Sequence, residues 1–204
     1  YAKVNGDFLV KKPKNLTAKQ AMTLGTAGLT ALQCAFAVKA REELLLGDKV
    51  KDVIVSGSSG GVGSIAVMVL NKFGYNVTAV SSKNNNNEYL KSLGAKNIID
   101  TKDLNTESRP LDKGLYDGAI DTVGGNVLSK ILSHIKETGI VASCGNALGI
   151  KLNTTVMPFI IRGVKLWGIN SVNTSTKRRE FLWNEAPNLI NFELLNKSIK
   201  EIKL

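Results

Sequence analysis

The sequence predicts an α/β fold, a doubly wound parallel six-stranded sheet with helices packed on it. Two observations carry this. From Asp52 onward, short β-branched apolar runs alternate with segments of helical periodicity, the pattern of βαβ units joined by right-handed crossovers. The first of these runs, Asp52–Val55, stops at a turn of small residues, Ser56-Gly57-Ser58-Ser59-Gly60-Gly61-Val62-Gly63. That turn opens into an apolar face at the 3.6-residue period, formed by Val62, Ile65, Ala66, Val69, Leu70 and Phe73.

In chain order, residues 1–12 read as a strand-like lead-in that stops at Lys12-Pro13. Thr17 and Gln20 form a capping-box pair for a helix start. Residues 18–46 read as two helices with a joint at Gly25-Thr26-Ala27-Gly28, the second ending at Gly47-Asp48. The strands expected next are 53–56, 76–81, 97–100, 116–123, 140–144 and 164–169. Helices are expected at 61–73, 88–93, 127–136, 158–162 and 177–186. Residues 103–113 read as irregular and 198–204 as a strand or a helix start; Asn84–Asn87 is a polar loop.

Composition narrows the function. With 204 residues and 43% hydrophobic content, the chain can bury one sizeable core. No run of about 18 apolar residues stands out, so no membrane span is expected. Tyr1–Asn5 carries no signal pattern, and the missing initiator Met marks the chain as a piece of something longer. Cys34 and Cys144 lie far apart in apolar or glycine contexts, which points to a reducing, cytoplasmic setting. No CxxC pair or His/Cys cluster supports a metal site. His134, the only histidine, reads as a surface or packing residue, and Cys144 has no neighbouring base to make it a nucleophile. The net charge is +10, densest at Lys177-Arg178-Arg179. No nucleic-acid motif accompanies it, and a basic surface also suits an anionic cofactor.

Strand, glycine turn and helix in that order form a phosphate cradle, because glycines admit a pyrophosphate and the helix start offers unpaired N–H groups. The glycines fit two patterns. Gly57-x3-Gly61-x-Gly63 matches the short-chain reductase form, and Ser58-x-Gly60-x2-Gly63 matches the dinucleotide fingerprint with Ser in place of its first glycine. The first pattern needs a Tyr-x3-Lys pair. Four residues after Tyr1, Tyr75, Tyr89 and Tyr116 stand Asn5, Ala79, Leu93 and Ile120. Roughly fifty residues also precede the first strand, where that family begins almost at once.

An NAD enzyme places an acid at the end of the second strand to bond the ribose 2′-OH. Here the strand runs into Ser81-Ser82-Lys83, with no acid before Glu88. Hydroxyls and a lysine suit a 2′-phosphate, which favours NADP(H) over NAD(H). At the ends of the fourth and fifth strands, the main chain of Asp121, Thr122, Val123 and Gly124 and of Ser143, Cys144, Gly145 and Asn146 could line the ribose and nicotinamide. The bland alternative is that Gly124 and Gly145 simply end strands.

Several stretches strongly resemble the zinc-independent quinone-oxidoreductase branch of the medium-chain dehydrogenase/reductase superfamily, and within it the YhdH/AcuI-type group of quinone oxidoreductases and acrylyl-CoA reductases. They are Gly25–Ala31, Gly57–Ser64, Glu88–Ala95, Glu107–Leu111, Gly118–Gly124 and Thr154–Ile160. The resemblance implies a Rossmann domain over residues 17–204, preceded at 1–16 by the end of a GroES-like catalytic domain, with the full enzyme extending beyond both ends. It implies NADPH held by Ser58, Ser59, Gly60, Gly61 and Val62, by Ser81 and Lys83 at the 2′-phosphate, and by Thr122–Gly124 and Cys144–Asn146. Thr30 and Asn170 would border the nicotinamide. The group's usual Ser-Gly-Arg is here Ser81-Ser82-Lys83, and Lys lacks the planar fork of Arg.

The activity implied is hydride transfer from NADPH to an activated C=C bond of an acrylyl-CoA-like enoyl thioester, or to a quinone. No general acid is evident in this chain, so the catalytic residues stay unknown and are expected in the preceding domain. Homodimers are implied through the edge strand near 164–169. The competing readings are a zinc-dependent alcohol dehydrogenase relative and a non-catalytic NADPH-binding module.

Overall fold

The computed structural model describes residues 3–44, 49–82, 84–197 and 199–202. Six strands form one sheet: β1 (Asp52–Val55), β2 (Asn76–Ser81), β3 (Ala95–Asp100), β4 (Tyr116–Asp121), β5 (Ile135–Ser143) and β6 (Lys165–Gly168). Their order is β3-β2-β1-β4-β5-β6, and every neighbouring pair is parallel. The chain runs outward from β1 to β3, returns to lay β4 beside β1, and runs outward again. That reversal leaves a crevice at the carboxyl ends of β1 and β4, where doubly wound sheets hold ligands.

Eight helices accompany the strands among the described residues: α1 (Ala18–Leu44), α2 (Gly61–Lys72), α3 (Asn87–Ser92), α4 (Thr101–Leu104), α5 (Gly125–Ser133), α6 (Met157–Arg162), α7 (Thr176–Leu189) and α8 (Phe192–Asn196). Two cores sandwich the sheet, and the alternation of side chains along each strand assigns residues to one or the other. Val53, Val55, Ile120 and Ala142 pack with α1, α2 and α7. Ile54, Ala119 and Val141 pack with α5.

The capping box forms as expected. Gln20 N donates to Thr17 Oγ1 at 3.1 Å and Thr17 N to Gln20 Oε1 at 2.8 Å. The two-helix reading of α1 also holds in its essentials, because Gly25 leaves helical geometry (φ 41°, ψ −142°) inside it. The stop at Gly47-Asp48 lies outside the described residues. By length and composition alone, α1 is long and apolar enough to cross a membrane. Its apolar residues Ala31, Leu32, Ala35 and Val38 are instead buried in this fold's own core.

Five local readings change. Residues 3–12 form no strand; a 3₁₀ turn at Gly6–Phe8 stands there, with Val4, Phe8 and Leu9 exposed and no strand to pair with. β5 starts at Ile135 rather than Ile140, so α5 stops before Lys136. Ile131 and Ile135, four apart, mimic a helical face, but Ile135 pairs with Tyr116 in the sheet. The pairing then shifts register, with Thr138 at φ 61°. Within the expected irregular stretch, Asp100 caps the short helix α4 by accepting from Lys102 N at 2.9 Å. Helix α8 was not expected; Asn191 caps it through Glu193 N and Leu194 N. Of the last segment, residues 199–202 form no regular element, and Ser198, Lys203 and Leu204 lie outside the described residues.

Candidate cofactor site

The glycine turn links β1 to α2 at the mouth of the crevice. Gly57 has φ 59°, and a Cβ on it would lie 2.3 Å from Thr122 Oγ1. Only glycine fits there, because the turn is pressed against the β4 loop. Ser58 is fully buried. Its hydroxyl donates to Val55 O at 2.7 Å and accepts from Val80 N at 3.0 Å. Its side chain therefore braces β1 against β2 and is not presented to a ligand. Gly60 and Gly61 are exposed at the start of α2, with Ser59 and Val62 half-buried beside them. No side chain caps this helix end, so its first N–H groups face the crevice mouth.

At the end of β2, Ser81 Oγ donates to Ser59 Oγ at 3.3 Å, which draws the second-strand loop to the glycine turn. Lys83, the expected charge for a 2′-phosphate, lies outside the described residues.

A residue that the sequence reading named only for its main chain organises the rest. Asp121 closes β4 and is fully buried. Its carboxylate accepts from Ser56 Oγ at 2.6 Å, from Gly124 N at 3.0 Å and from Ser143 Oγ at 3.3 Å. The carboxylate thus ties together the ends of β1, β4 and β5. Burial pushes its pKa up, against the opposing pull of the Ser56, Gly124, Val123 and Ser143 hydrogen bonds. Ser56 was missed, and the side-chain role of Ser143, like that of Asp121, was not anticipated. The available signal was an acid closing the apolar run Gly118-Ala119-Ile120, where burial of a carboxylate demands partners.

Thr122, Val123 and Gly124 form the β4 loop next to the glycine turn. Thr122 N donates to Ser56 Oγ at 2.9 Å and Thr122 Oγ1 to Ser56 O at 2.9 Å. Cys144 N donates to Asp121 O at 2.9 Å, which fixes the start of the β5 loop. Gly145 passes so close to the β4 loop that a Cβ would meet Thr122 O at 2.1 Å. Cys34, fully buried on α1, shares a core cluster with Cys144, and the neighbouring Cys144 thiol together with burial pushes the Cys34 thiol well up. Ser143–Asn146 and Gly168–Asn170 together line a cleft of about 460 Å³.

The structure therefore brings together Ser59, Gly60, Gly61, Val62, Ser81, Thr122, Val123, Gly124, Cys144, Gly145 and Asn146 at the carboxyl ends of β1, β2, β4 and β5. Asn170 joins from the end of β6, its Oδ1 accepting from Val172 N at 3.1 Å. Thr30 is less available: it is 6% exposed, and its hydroxyl donates to Thr26 O at 2.7 Å. His134 caps the end of α5 opposite to the Gly124 loop, with Nδ1 3.2 Å from Lys113 O. Exposed N–H groups on a glycine turn, a close-packed second loop and an adjoining cleft fit an extended dinucleotide.

A family profile described as zinc-binding dehydrogenase matches residues 61–188. The chain belongs to that family. Despite the family's name, no group of three or more His, Cys, Asp or Glu among the described residues is placed to hold a metal ion. Among relatives, the chain is 39% identical to acrylyl-CoA reductase AcuI of Ruegeria pomeroyi, over all of this chain and 61% of that protein. Among solved structures, the yhdH oxidoreductase of Salmonella enterica in complex with NADP superposes with a TM-score of 0.90 at 45% identity, over 96% of this chain and 59% of that one. The Bacillus subtilis protein yhfP, with NAD bound, gives 0.88 at 41% identity, over 95% and 59%. The resemblance to the YhdH/AcuI-type group and the parallel six-stranded Rossmann fold are thereby borne out. The chain spans about 61% of the length of the relative it matches.

Proposed function

We propose that this chain is the NADP(H)-holding part of an oxidoreductase that delivers hydride to an activated C=C bond of an enoyl thioester, or to a quinone. The observation that carries this is the crevice in which Asp121 locks the β1, β4 and β5 loops around one ligand path. A relative named acrylyl-CoA reductase and a structural neighbour holding NADP support it. When bound, the cofactor supplies the hydride, and the protein supplies orientation and electrostatics.

In this reading the N–H groups of Gly60, Gly61 and Val62 hold the pyrophosphate, with Ser59 beside them. Ser58 serves through its backbone and by bracing the turn. Ser81, Ser82 and Lys83 hold the 2′-phosphate. The Thr122–Gly124 loop lines the ribose; Cys144–Asn146 and Asn170 line the nicotinamide, with Thr30 packed behind. Residues 17–204 form the cofactor domain and 1–16 the end of a GroES-like catalytic domain. The described residues leave the outer edge of β6 without a strand partner, and a second copy of the chain pairs there. The proposed partners are thus a small-molecule substrate and this second copy rather than nucleic acid or a membrane, in a reducing, cytoplasmic setting.

Titration of NADPH and NADH against the chain, followed by turnover of the full-length enzyme with acrylyl-CoA and a quinone, tests the proposal. Tighter binding of NADPH and turnover of either acceptor support it. No binding of either dinucleotide overturns it, and a monomer in sedimentation removes the edge pairing.

A further inference from the structure

A second cleft, of about 610 Å³, opens between α1, β6 and α7. Its volume falls in the range of about 300–1,000 Å³ usual for small-molecule sites. The rings of Phe36, Trp167 and Phe181 line it, with the cations Lys39 and Arg178. Trp167 is 49% exposed and Phe181 42%, large aromatic area for a protein surface.

Arg178 is held in place by these rings. Its guanidinium carbon lies 5.6 Å from the centre of Phe36 and 5.2 Å from that of Phe181. Lys39 Nζ lies 4.7 Å over Phe73. Among the described residues, neither cation has a carboxylate within salt-bridge distance. Two cations preset by aromatic rings, with no anion of their own, form a site for a phosphate beside a flat ring. Glu43 shares the cleft. It leaves the lining net positive and offers an acceptor suited to the amino group of adenine.

The position of the cleft matters as much as its lining. Gly168, Ile169 and Asn170 line both this cleft and the smaller one beside Cys144, Gly145 and Asn146. A ligand whose reactive end lies at the β5 loop therefore has a continuous wall leading into the larger cleft. In the proposed function NADP(H) runs from the glycine turn to the β5 loop, and the α1 and α7 residues of the larger cleft lie outside the set assigned to it.

We propose that this cleft binds the phosphorylated adenosine end of an acyl-CoA substrate while the thioester lies at the β5 loop. The inference rests on the enoyl-thioester reading above and extends it. A quinone, lacking that tail, does not use the site.

The test uses the full-length enzyme and the variants Lys39→Gln and Arg178→Gln. Acrylyl-CoA is compared with the acrylyl thioester of N-acetylcysteamine, which lacks the nucleotide. Losing one charge-assisted phosphate contact raises KM about tenfold, so the expected rise for acrylyl-CoA exceeds that for the short thioester by this factor. Equal changes for both substrates, or a shift in dimer mass without that difference, overturn the proposal.

A second arm, calorimetric titration of adenosine 3′,5′-bisphosphate into the NADP⁺-saturated enzyme, does not depend on turnover. Binding that weakens about tenfold in Arg178→Gln supports the site. Absence of binding to the unsubstituted enzyme overturns it. Should that enzyme bind the bisphosphate yet reduce only quinones, the enoyl-thioester reading fails while the binding site stands.

Discussion

Ser56 and Asp121 meet at the carboxyl ends of adjacent strands, with Ser56 Oγ 2.6 Å from Asp121 Oδ1. The same serine oxygen accepts from Thr122 N at 2.9 Å. One buried hydroxyl therefore relays between the glycine turn, the carboxylate and the loop beyond β4. In the proposed function neither side chain needs to touch the cofactor to position it.

Removing the carboxylate should unsettle three loops together. Asp121→Ala leaves Ser56 Oγ, Gly124 N and Ser143 Oγ without their acceptor and is expected to cost about 3 kcal/mol of stability. NADPH binding should weaken at least in step, read by fluorescence titration well below the melting temperature. Unchanged binding in the folded variant would remove Asp121 from the positioning of the loops.

The same group gives a pH signature. The Asp121 carboxyl ionises near its ordinary value of 3.8 in the unfolded chain and higher in the folded one, because burial opposes its charge. Between those two values the folded protein binds more protons than the unfolded, so this group makes stability fall as pH rises through that window. Asp121→Asn cannot titrate and should lack that component. Urea midpoints for both proteins, measured in steps upward from pH 3.8, check the difference in slope.

Gly145 tests the close approach of the two loops. A methyl group there meets Thr122 O at 2.1 Å, so Gly145→Ala must push the β5 loop away from the β4 loop. A stability loss of about 1–3 kcal/mol is expected. The loss of NADPH affinity should exceed that produced by Gly168→Ala, since a Cβ at Gly168 meets open space.

In the proposed function Lys83 separates the two dinucleotides. Lys83→Ala should weaken NADPH about tenfold by removing a charge beside the 2′-phosphate and leave NADH nearly unchanged. Equal losses for both would place Lys83 elsewhere on the ligand.

Arg162 holds the entry to β5. Its guanidinium donates to Ser133 O at 2.8 Å, to Ile135 O at 2.9 Å and to Asp112 O. Arg162→Ala should cost about 2 kcal/mol and lower Tm by roughly 4–8 °C. Arg162→Lys should recover only part, because a single ammonium cannot match the planar fork.

Much of this architecture was written in local patterns. The strand run at Val53–Val55, the helical face from Val62 to Phe73 and the Thr17–Gln20 capping box each depend on residues a few positions apart, and each appears where the spacing places it. The glycine turn was legible for the same reason: close backbone approach requires glycine wherever it occurs. The start of β5 was not. Ile131 and Ile135 satisfy a helical spacing, and only pairing with Tyr116 decides for the strand.

The sequence by itself determined the order of the six strands along the chain, the place of the glycine turn and the hydroxyl-and-lysine end of the second strand. Tertiary structure decided what each side chain does there. Ser58 sits inside the fingerprint yet spends its hydroxyl on Val55 and Val80. Asp121 gains its role from Ser56, 65 positions earlier, and from Ser143, 22 positions later. Arg178, one of three consecutive cations, became distinct only when folding laid it between Phe36 and Phe181. The physical reason is common to all three: periodicity is set by the backbone geometry of a few neighbouring residues. Burial and partnership are set by chain segments that meet only in the folded state.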